Sequence, residues 1–300
     1  MTLQQLKYAI TVAESGTITE AATRLYISQP SLTNAIHELE KEMNITIFNR
    51  TNRGIVLSKE GEDFLGYARQ VLEQASILED RYKGASGGKK QFCVSTQHYS
   101  FAVNAFVDLI KQFGQDEYDF SLRETQTYEI IEDVAHMKSE IGILFLNDFN
   151  ETVIKKLLKS HELIFQELFV AKPHVFISVD HPLAHNDVIT NEQLEDYPYL
   201  SFEQGEHNSF YFSEEIFSAT ERRKNIRVRD RATLFNLLIG LNGYTVCSGV
   251  IDKELNGSGI IAVPLADEGD MRIGYIRHQR GLSSRLAYTY IDALRKYIEC

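Results

Sequence analysis

The stretch Ala21-Ala22-Thr23-Arg24-Leu25-Tyr26-Ile27-Ser28-Gln29-Pro30-Ser31-Leu32-Thr33-Asn34-Ala35-Ile36-His37 decides how the N-terminal region folds. Its first part, from Thr17, reads as a short helix with Ala21, Ala22 and Leu25 turned inward. Tyr26-Ile27-Ser28 leaves room only for a tight connection. Ser28 is a good N-cap, and Pro30 suits a first helical turn, where its missing N–H had no partner. The next helix carries Leu32, Ile36, Leu39 and Met43 on one face and Pro30, Asn34, His37 and Lys41 on the other. Helix, short turn, helix is the geometry that places a second helix in a DNA major groove.

Upstream, Leu3, Leu6, Ile10 and Ala13 recur at helical spacing. Downstream, Ile45–Phe48 and Ile55–Ser58 read as short strands flanking Asn49-Arg50-Thr51-Asn52-Arg53-Gly54, a turn with two arginines. Together these elements make a winged helix-turn-helix over residues 1–58. Ser28, Gln29, Pro30, Ser31, Thr33, Asn34 and His37 are candidate DNA-reading residues, because amides and hydroxyls match base edges. Arg50 and Arg53 are candidates for the phosphate backbone or a narrow minor groove.

Residues 59–83 form one long helix in which Phe64, Ala68, Val71, Ala75, Leu78 and Tyr82 are spaced as a heptad seam. A seam of that length calls for a partner helix, hence a homodimer. Gly84-Ala85-Ser86-Gly87-Gly88-Lys89-Lys90 is a flexible joint. From residue 91 strands and helices alternate: strand Phe92–Thr96, helix around Ala102–Phe113, strand Phe120–Thr125, helix Tyr128–Lys138, buried strand Ile141–Leu146. That order gives an α/β fold with helices on both faces of an open sheet. Two strand candidates follow in 162–179, then pairs of strand Tyr199–Phe202 with helix Asn208–Ala219 and strand Ile226–Asp230 with helix Ala232–Leu241. A final helix spans 283–298.

Charge separates the regions. The chain of 300 residues carries a net charge of -11. Residues 1–60 hold six basic and six acidic residues, and 61–90 hold five of each, so the whole excess lies in 91–300. An acidic body repels phosphate, which directs nucleic acid to the neutral N-terminal end. A neutral head makes few phosphate contacts, so tight binding needs two copies.

The run Ala21 to Thr33, with Ile36, Leu39-Glu40, Ile47-Phe48, Arg50, Arg53-Gly54, Leu57-Ser58 and Gly61, resembles the LysR-type transcriptional regulators. Asp180-His181-Pro182-Leu183-Ala184 is similar to a recurrent turn of that family. The resemblance implies a linker helix over 59–90 and a two-lobed effector domain of periplasmic-binding-protein type over 91–300. Lobe 1 would take 91–163 and 267–300, and lobe 2 would take 164–266. It implies binding to an inverted repeat in double-stranded promoter DNA, a small-molecule effector between the lobes, a homotetramer as the usual assembly, and contact with RNA polymerase. By position, the family's pocket loops correspond to Thr96-Gln97-His98-Tyr99-Ser100, Thr125-Gln126-Thr127, Phe202-Glu203-Gln204 and Val246-Cys247-Ser248. The candidate effector residues are therefore Thr96, Gln97, His98, Tyr99, Ser100, Thr125, Gln126, Thr127, Phe202, Glu203, Gln204 and Ser248. Those loops carry no Lys or Arg, so an anionic effector would rest on helix N-termini and hydroxyls, while a neutral polar one is equally allowed. The family's Arg is replaced by Asn34 and its turn glycine by Asn44, a residue that tolerates a left-handed backbone.

Other readings fit less well. G-x-x-x-x-G-K-[ST] and H-E-x-x-H are both missing from the sequence, the one G-x-S-x-G string (Gly84 to Gly88) falls in the flexible joint and not between a strand and a helix, and His181 and His185 are separated by Pro182, so neither an enzyme nor a metal centre is expected. A plain solute-binding protein would account for residues 91–300 but not for the first ninety. Cys93, Cys247 and Cys300 are widely spaced, which fits a reducing cytoplasm, and Cys247 has no evident disulfide partner. Met1–Gln5 does not begin a signal peptide, and no apolar run approaches the roughly 20 residues that cross a bilayer.

Overall fold

The computed structural model describes residues 1–51, 54–83, 90–113, 117–207, 209–251, 257–266, 269–279 and 284–298. The side chains of 50, 51, 73, 77 and 80–83 fall outside that description, as does the joint at 84–89. The chain divides into two compact units near residue 88.

The first unit opens with α1 (Leu3–Ser15), held by a reciprocal cap: Gln5 N–H donates to Thr2 Oγ1 at 3.2 Å, and Thr2 N–H donates to Gln5 Oε1 at 2.9 Å. Its inward face is Leu6, Ala9 and Val12. Leu3 is exposed, and Ile10 and Ala13 only half-buried, so the apolar stripe is rotated from the expected one. Helix α2 (Ile18–Arg24) starts at Thr17 and buries Ala21 and Ala22. Helix α3 (Gln29–Met43) starts at Ser28, whose Oγ accepts the Ser31 N–H at 3.3 Å, with Pro30 in the first turn. It buries Leu32, Ile36 and Leu39 and ends at Asn44 in the left-handed conformation, φ 54°. Each such fully buried aliphatic side chain contributes about 1.5–3 kcal/mol.

Strand β1 (Phe48–Thr51) begins three residues later than expected and pairs antiparallel with β2 (Gly54–Leu57). The cause is Glu40. Its Oε1 accepts the N–H groups of Ile47 at 2.8 Å and Phe48 at 3.0 Å, tying that connection to α3. Helix α4 (Lys59–Lys83) then packs its first turns on α1 through Leu65 and Ala68. Gly61 sits where an added Cβ would lie 2.2 Å from the Ile47 carbonyl oxygen, so the helix start and the wing approach as closely as only glycine allows.

The second unit has two lobes. The first is a five-stranded sheet ordered β4 (Tyr118–Glu124), β3 (Lys90–Thr96), β5 (Ile141–Leu146), β12 (Met271–His278), β6 (Leu163–Ala171). Strands β3, β4 and β5 run parallel, while β12 is antiparallel to β5 and β6. Strand β5 is buried along its length. Ile141, Ile143 and Phe145 pack with α5 (Ser100–Phe113) and the C-terminal α10 (Arg285–Lys296). Leu144 and Leu146 pack with α6 (Thr127–Ala135) and α7 (Glu151–Ser160). Tyr290 of α10 donates its hydroxyl to Ala102 O at 2.9 Å.

The second lobe joins β7 (His174–Ser178), flanked antiparallel by β10 (Thr245–Cys247) and β11 (Ile260–Pro264), to the parallel pair β8 (Tyr199–Phe202) and β9 (Asn225–Val228). Tyr199 and Tyr244 bridge the two sheets. A short α8 (Asn191–Leu194) precedes β8, and α9 (Arg231–Leu241) covers Leu200 and Val228 with Leu234 and Leu238.

Two expectations are corrected. The chain enters the second lobe after Ala171, not at residue 164, because β6 pairs with β12 from Leu163↔His278 to Ala171↔Met271. The helix expected over 208–219 does not form. The described part holds two 3₁₀ turns, Gly205–His207 and Phe210–Phe212, followed by Glu214, Glu215 and Ile216 buried in succession. Their side chains are held one by one, Glu214 by His98 and Glu215 by the Phe202 N–H.

Candidate functional site

The outer face of α3 presents Ser28, Gln29, Pro30, Ser31, Asn34 and His37 to solvent, with Thr33 half-buried beside them. The N-cap that starts α3 fixes where this face points. Gln29, Pro30, Thr33 and Asn34 line a groove of about 600 Å³ with Thr17, Ile18 and Thr19 of α2 and with Gly54 and Ile55 of the wing. At that spot the wing's Ile55 N–H donates to Gly16 O at 3.0 Å, and Gly54 adopts φ 130°, a backbone state that favours glycine. Thr17 and Thr19 join this surface although the sequence reading did not single them out. Thr17 is an N-cap, and a cap exposed at a helix start is available to a ligand on its other side. His37 lies 3.6 Å from Glu40 Oε2. Arg53 and the side chain of Arg50 lie outside the described residues.

In the second unit the expected loops do converge between the lobes, but they close on each other. His98, after β3, places Nδ1 2.8 Å from Glu214 Oε2, and its backbone N–H donates to the same oxygen at 2.9 Å. The imidazole stacks on Phe202 with centroids 3.8 Å apart. Gln204 Oε1 accepts the Thr127 N–H at 3.0 Å, and Ser100 Oγ donates to Val250 O at 3.2 Å. Arg231 Nη2 lies 2.6 Å from Glu124 Oε1. Each of these pairs joins the first lobe to the second.

Five candidates, His98, Tyr99, Ser100, Phe202 and Ser248, line an interlobe cavity of about 40 Å³. The other seven do not. Thr96 is fully buried and donates to the Gln97 carbonyl at 2.8 Å. Gln97 is spent inside lobe 1, accepting from Tyr99 Oη at 2.9 Å and donating to Thr127 Oγ1 at 2.6 Å. Thr125 bonds Glu129, Glu203 pairs with Arg229, and Gln126 packs under Gly205. Thr127 and Gln204 are bonded to each other, so the N-terminus of α6 already holds an acceptor and is not an open anion seat. The sequence reading missed Glu214, Glu215, Arg231, Phe235 and Thr245, all of which line the cavity. Arg231 also corrects the expectation of a cleft without a cation. The signal for it was present: Asp230 caps α9 by accepting the Thr233 N–H at 2.8 Å, which puts the next residue at the end of β9, where such folds bind ligands.

The electrostatics are dominated by buried carboxyls. Burial, then the neighbouring Glu214, pushes the Glu215 carboxyl up to about 8, against the pull of the Phe202 N–H that donates to its Oε1 at 2.7 Å. Burial likewise raises Glu124, opposed by Arg231. Burial opposes charge on His98, but Glu214 outweighs it, and the imidazole is raised overall. Burial also raises the thiols of Cys93 and Cys247, which makes both poor nucleophiles.

Comparison with known proteins follows the same division of the chain. Residues 3–62 match the family described as bacterial regulatory helix-turn-helix protein, lysR family, and residues 93–299 match the LysR substrate binding domain. The chain is 30% identical over 207 residues to YnfL of Escherichia coli K12, an uncharacterized HTH-type transcriptional regulator. That alignment covers 67% of this chain and 65% of YnfL. It is also 30% identical over 202 residues to HcaR, the Hca operon transcriptional activator of Escherichia coli K12, with the same coverages. The chain thus spans just under two thirds of the length of these relatives. Among solved structures, a full-length OxyR variant from Pseudomonas aeruginosa superposes with a TM-score of 0.69 at 21% identity, covering 98% of this chain and 95% of that one. CbnR, a LysR family transcriptional regulator, gives 0.59 at 18% identity, covering 99% of each. At those identities the likeness is one of fold.

Proposed function

We propose that this chain, which belongs to the bacterial LysR family of helix-turn-helix regulators, is a sequence-specific DNA-binding transcriptional regulator controlled by a small molecule held between its two C-terminal lobes. The observation that carries the reading is the α3 face. Gln29, Pro30, Thr33 and Asn34 share one groove with the wing residues Gly54 and Ile55, so helix and wing present a single surface to a duplex. Amide and hydroxyl side chains there suit base edges, and the wing arginines suit phosphate. The role is one of binding, not catalysis.

Pairing of two chains follows from α4. Its early turns are used by the domain core at Leu65 and Ala68, whereas Val71 and Leu78 further along the seam are exposed. A second α4 laid along that seam would cover them, and two neutral heads would then read an interrupted inverted repeat in a promoter. A homotetramer, the family's usual assembly, and a contact with RNA polymerase complete the proposal. No helix among the described residues is long and apolar enough to cross a membrane. A regulator works where its DNA is, so the location proposed is the cytoplasm.

Selection of bound duplexes from a randomised DNA pool tests this reading. The expected result is an enriched inverted repeat whose preference relaxes at one base per half-site in Asn34→Ala, at a cost of about 1–3 kcal/mol for the preferred base. Enrichment of no sequence, or an unchanged preference in Asn34→Ala, contradicts the assignment of that face.

A further inference from the structure

Three side chains that line the interlobe cavity each hold one buried polar atom without a hydrogen-bond partner: Glu215 Oε2, Arg231 Nη1 and Thr245 Oγ1. Glu215 is 3% exposed and Thr245 4% exposed, so bulk water does not complete them. The remaining valences are spoken for, since Glu215 Oε1 takes the Phe202 N–H and Arg231 Nη2 rests on Glu124. Buried polar groups without partners are rare and costly, and several on one cavity form a recognition pattern. Here the pattern is a carboxyl that keeps its proton while the site is empty and yields it when a cation arrives, a cationic donor and a hydroxyl.

The geometry points to a small zwitterion, an ammonium and a carboxylate joined by one or two carbons as in a small α-amino acid, as the molecule held in this cavity. The inference rests on the reading of the cleft as the effector site and names the class of effector. An amine alone would leave the Arg231 arm unpaired and add positive charge beside Arg231 and His98. A carboxylate alone would face Glu214 and Glu215 with nothing positive of its own. A zwitterion sets its ammonium on Glu215, which releases its proton to solvent and becomes the acceptor, sets its carboxylate on the free Arg231 arm, and leaves Thr245 to bond either end. The walls, Phe202 and Phe235 among them, exclude water and strengthen each contact. A volume of about 40 Å³ holds about three water-sized groups, so even a short amino acid enters only as interlobe contacts give way, and an aromatic ring is too large.

The test is calorimetric titration of the full chain with L-alanine, ethylamine and propionate, each repeated with Glu215→Gln and Thr245→Val and followed by DNA binding with and without the ligand. Saturable binding of L-alanine, weaker or absent binding of the two half-molecules, and a loss of about tenfold or more in Glu215→Gln are expected. Thr245→Val, which removes the hydroxyl and keeps the shape, should lose several-fold with an unchanged melting temperature. Binding of propionate or ethylamine in preference to alanine, or alanine affinity unchanged in both variants, overturns the zwitterion. A DNA-binding response to a mixed metabolite pool that survives Glu215→Gln also overturns it while leaving the regulated cleft in place. No response of DNA binding to any pool removes both.

Discussion

Glu215 shows how one residue ties the cleft to solution conditions. Its carboxyl lies at about 8 in the folded chain, above the unfolded value of 4.5, so the folded state keeps a proton that the unfolded state has lost. Stability from this group is fully present below about 4.5 and falls as pH rises toward about 8. Facing it are Glu214, His98 and Tyr199, with Arg231 on the same cavity. His98 acts in the same direction, because its raised value favours a charge that is lost as pH climbs. The ligand-free protein should therefore melt several degrees lower at pH 8.5 than at pH 5.5, and Glu215→Gln should remove much of that slope. Equal slopes in both proteins would place the titration elsewhere. Local chemistry was legible at this scale. Ser28, Pro30 and Asn44 have backbone roles that follow from their own side chains, and each sits where those roles require. Glu214 and Glu215 were not legible, because their partners His98 and Phe202 are 116 and 13 residues away in sequence.

Glu40 and Gly61 belong to the scale of elements, since each fixes one element against another. The Glu40 carboxylate ties α3 to the Ile47-Phe48 connection. Removing it takes that acceptor from the buried Ile47 N–H and the half-buried Phe48 N–H. Glu40→Ala should cost about 2–4 kcal/mol in denaturant unfolding, with Glu40→Gln retaining part of it. A cost near zero would mean that water replaces the carboxylate. In α4 the sequence seam is real only in part. Phe64 and Ala68 turn toward the domain core, and the seam that remains to solvent is Val71 and Leu78, with Ala75 half-buried between them. Leu78→Glu should shift the chain from dimer toward monomer in sedimentation, because like charges would meet across the seam. A dimer of undiminished strength would assign the interface to another surface. The segment after β8 failed as a helix for a physical reason. Its aromatic and acidic side chains are used one by one, Tyr211 stacking on Phe149 and Glu214 on His98, and that demand overrides helical periodicity.

At the scale of the molecule, the division into a neutral head and an acidic body was visible in the charges, and the α/β order of the second unit in the alternation of strands and helices. The lobe boundary was not, since the extension of β6 to Ala171 depends on its pairing with a strand a hundred residues later. Nor could the sequence show that the cleft is closed by the protein's own side chains. With His98 on Glu214, Gln204 on Thr127 and Arg231 on Glu124, a ligand that enters must exchange these contacts for its own, and a ligand acts on DNA only through its different affinity for the two arrangements. The neutral head sets a further expectation. Affinity for DNA should fall with salt on a slope that reflects few phosphate contacts per head, doubled by pairing, with most discrimination coming from the α3 face.

The most direct measurement is recovery of genomic DNA fragments by the purified full-length protein, followed by sequencing and a salt titration of the tightest fragment with and without candidate ligands. The account predicts a few promoter fragments sharing one inverted repeat, with an affinity or footprint that changes on ligand addition. Recovery of random DNA at equal affinity, or of none under any ligand condition, would contradict it.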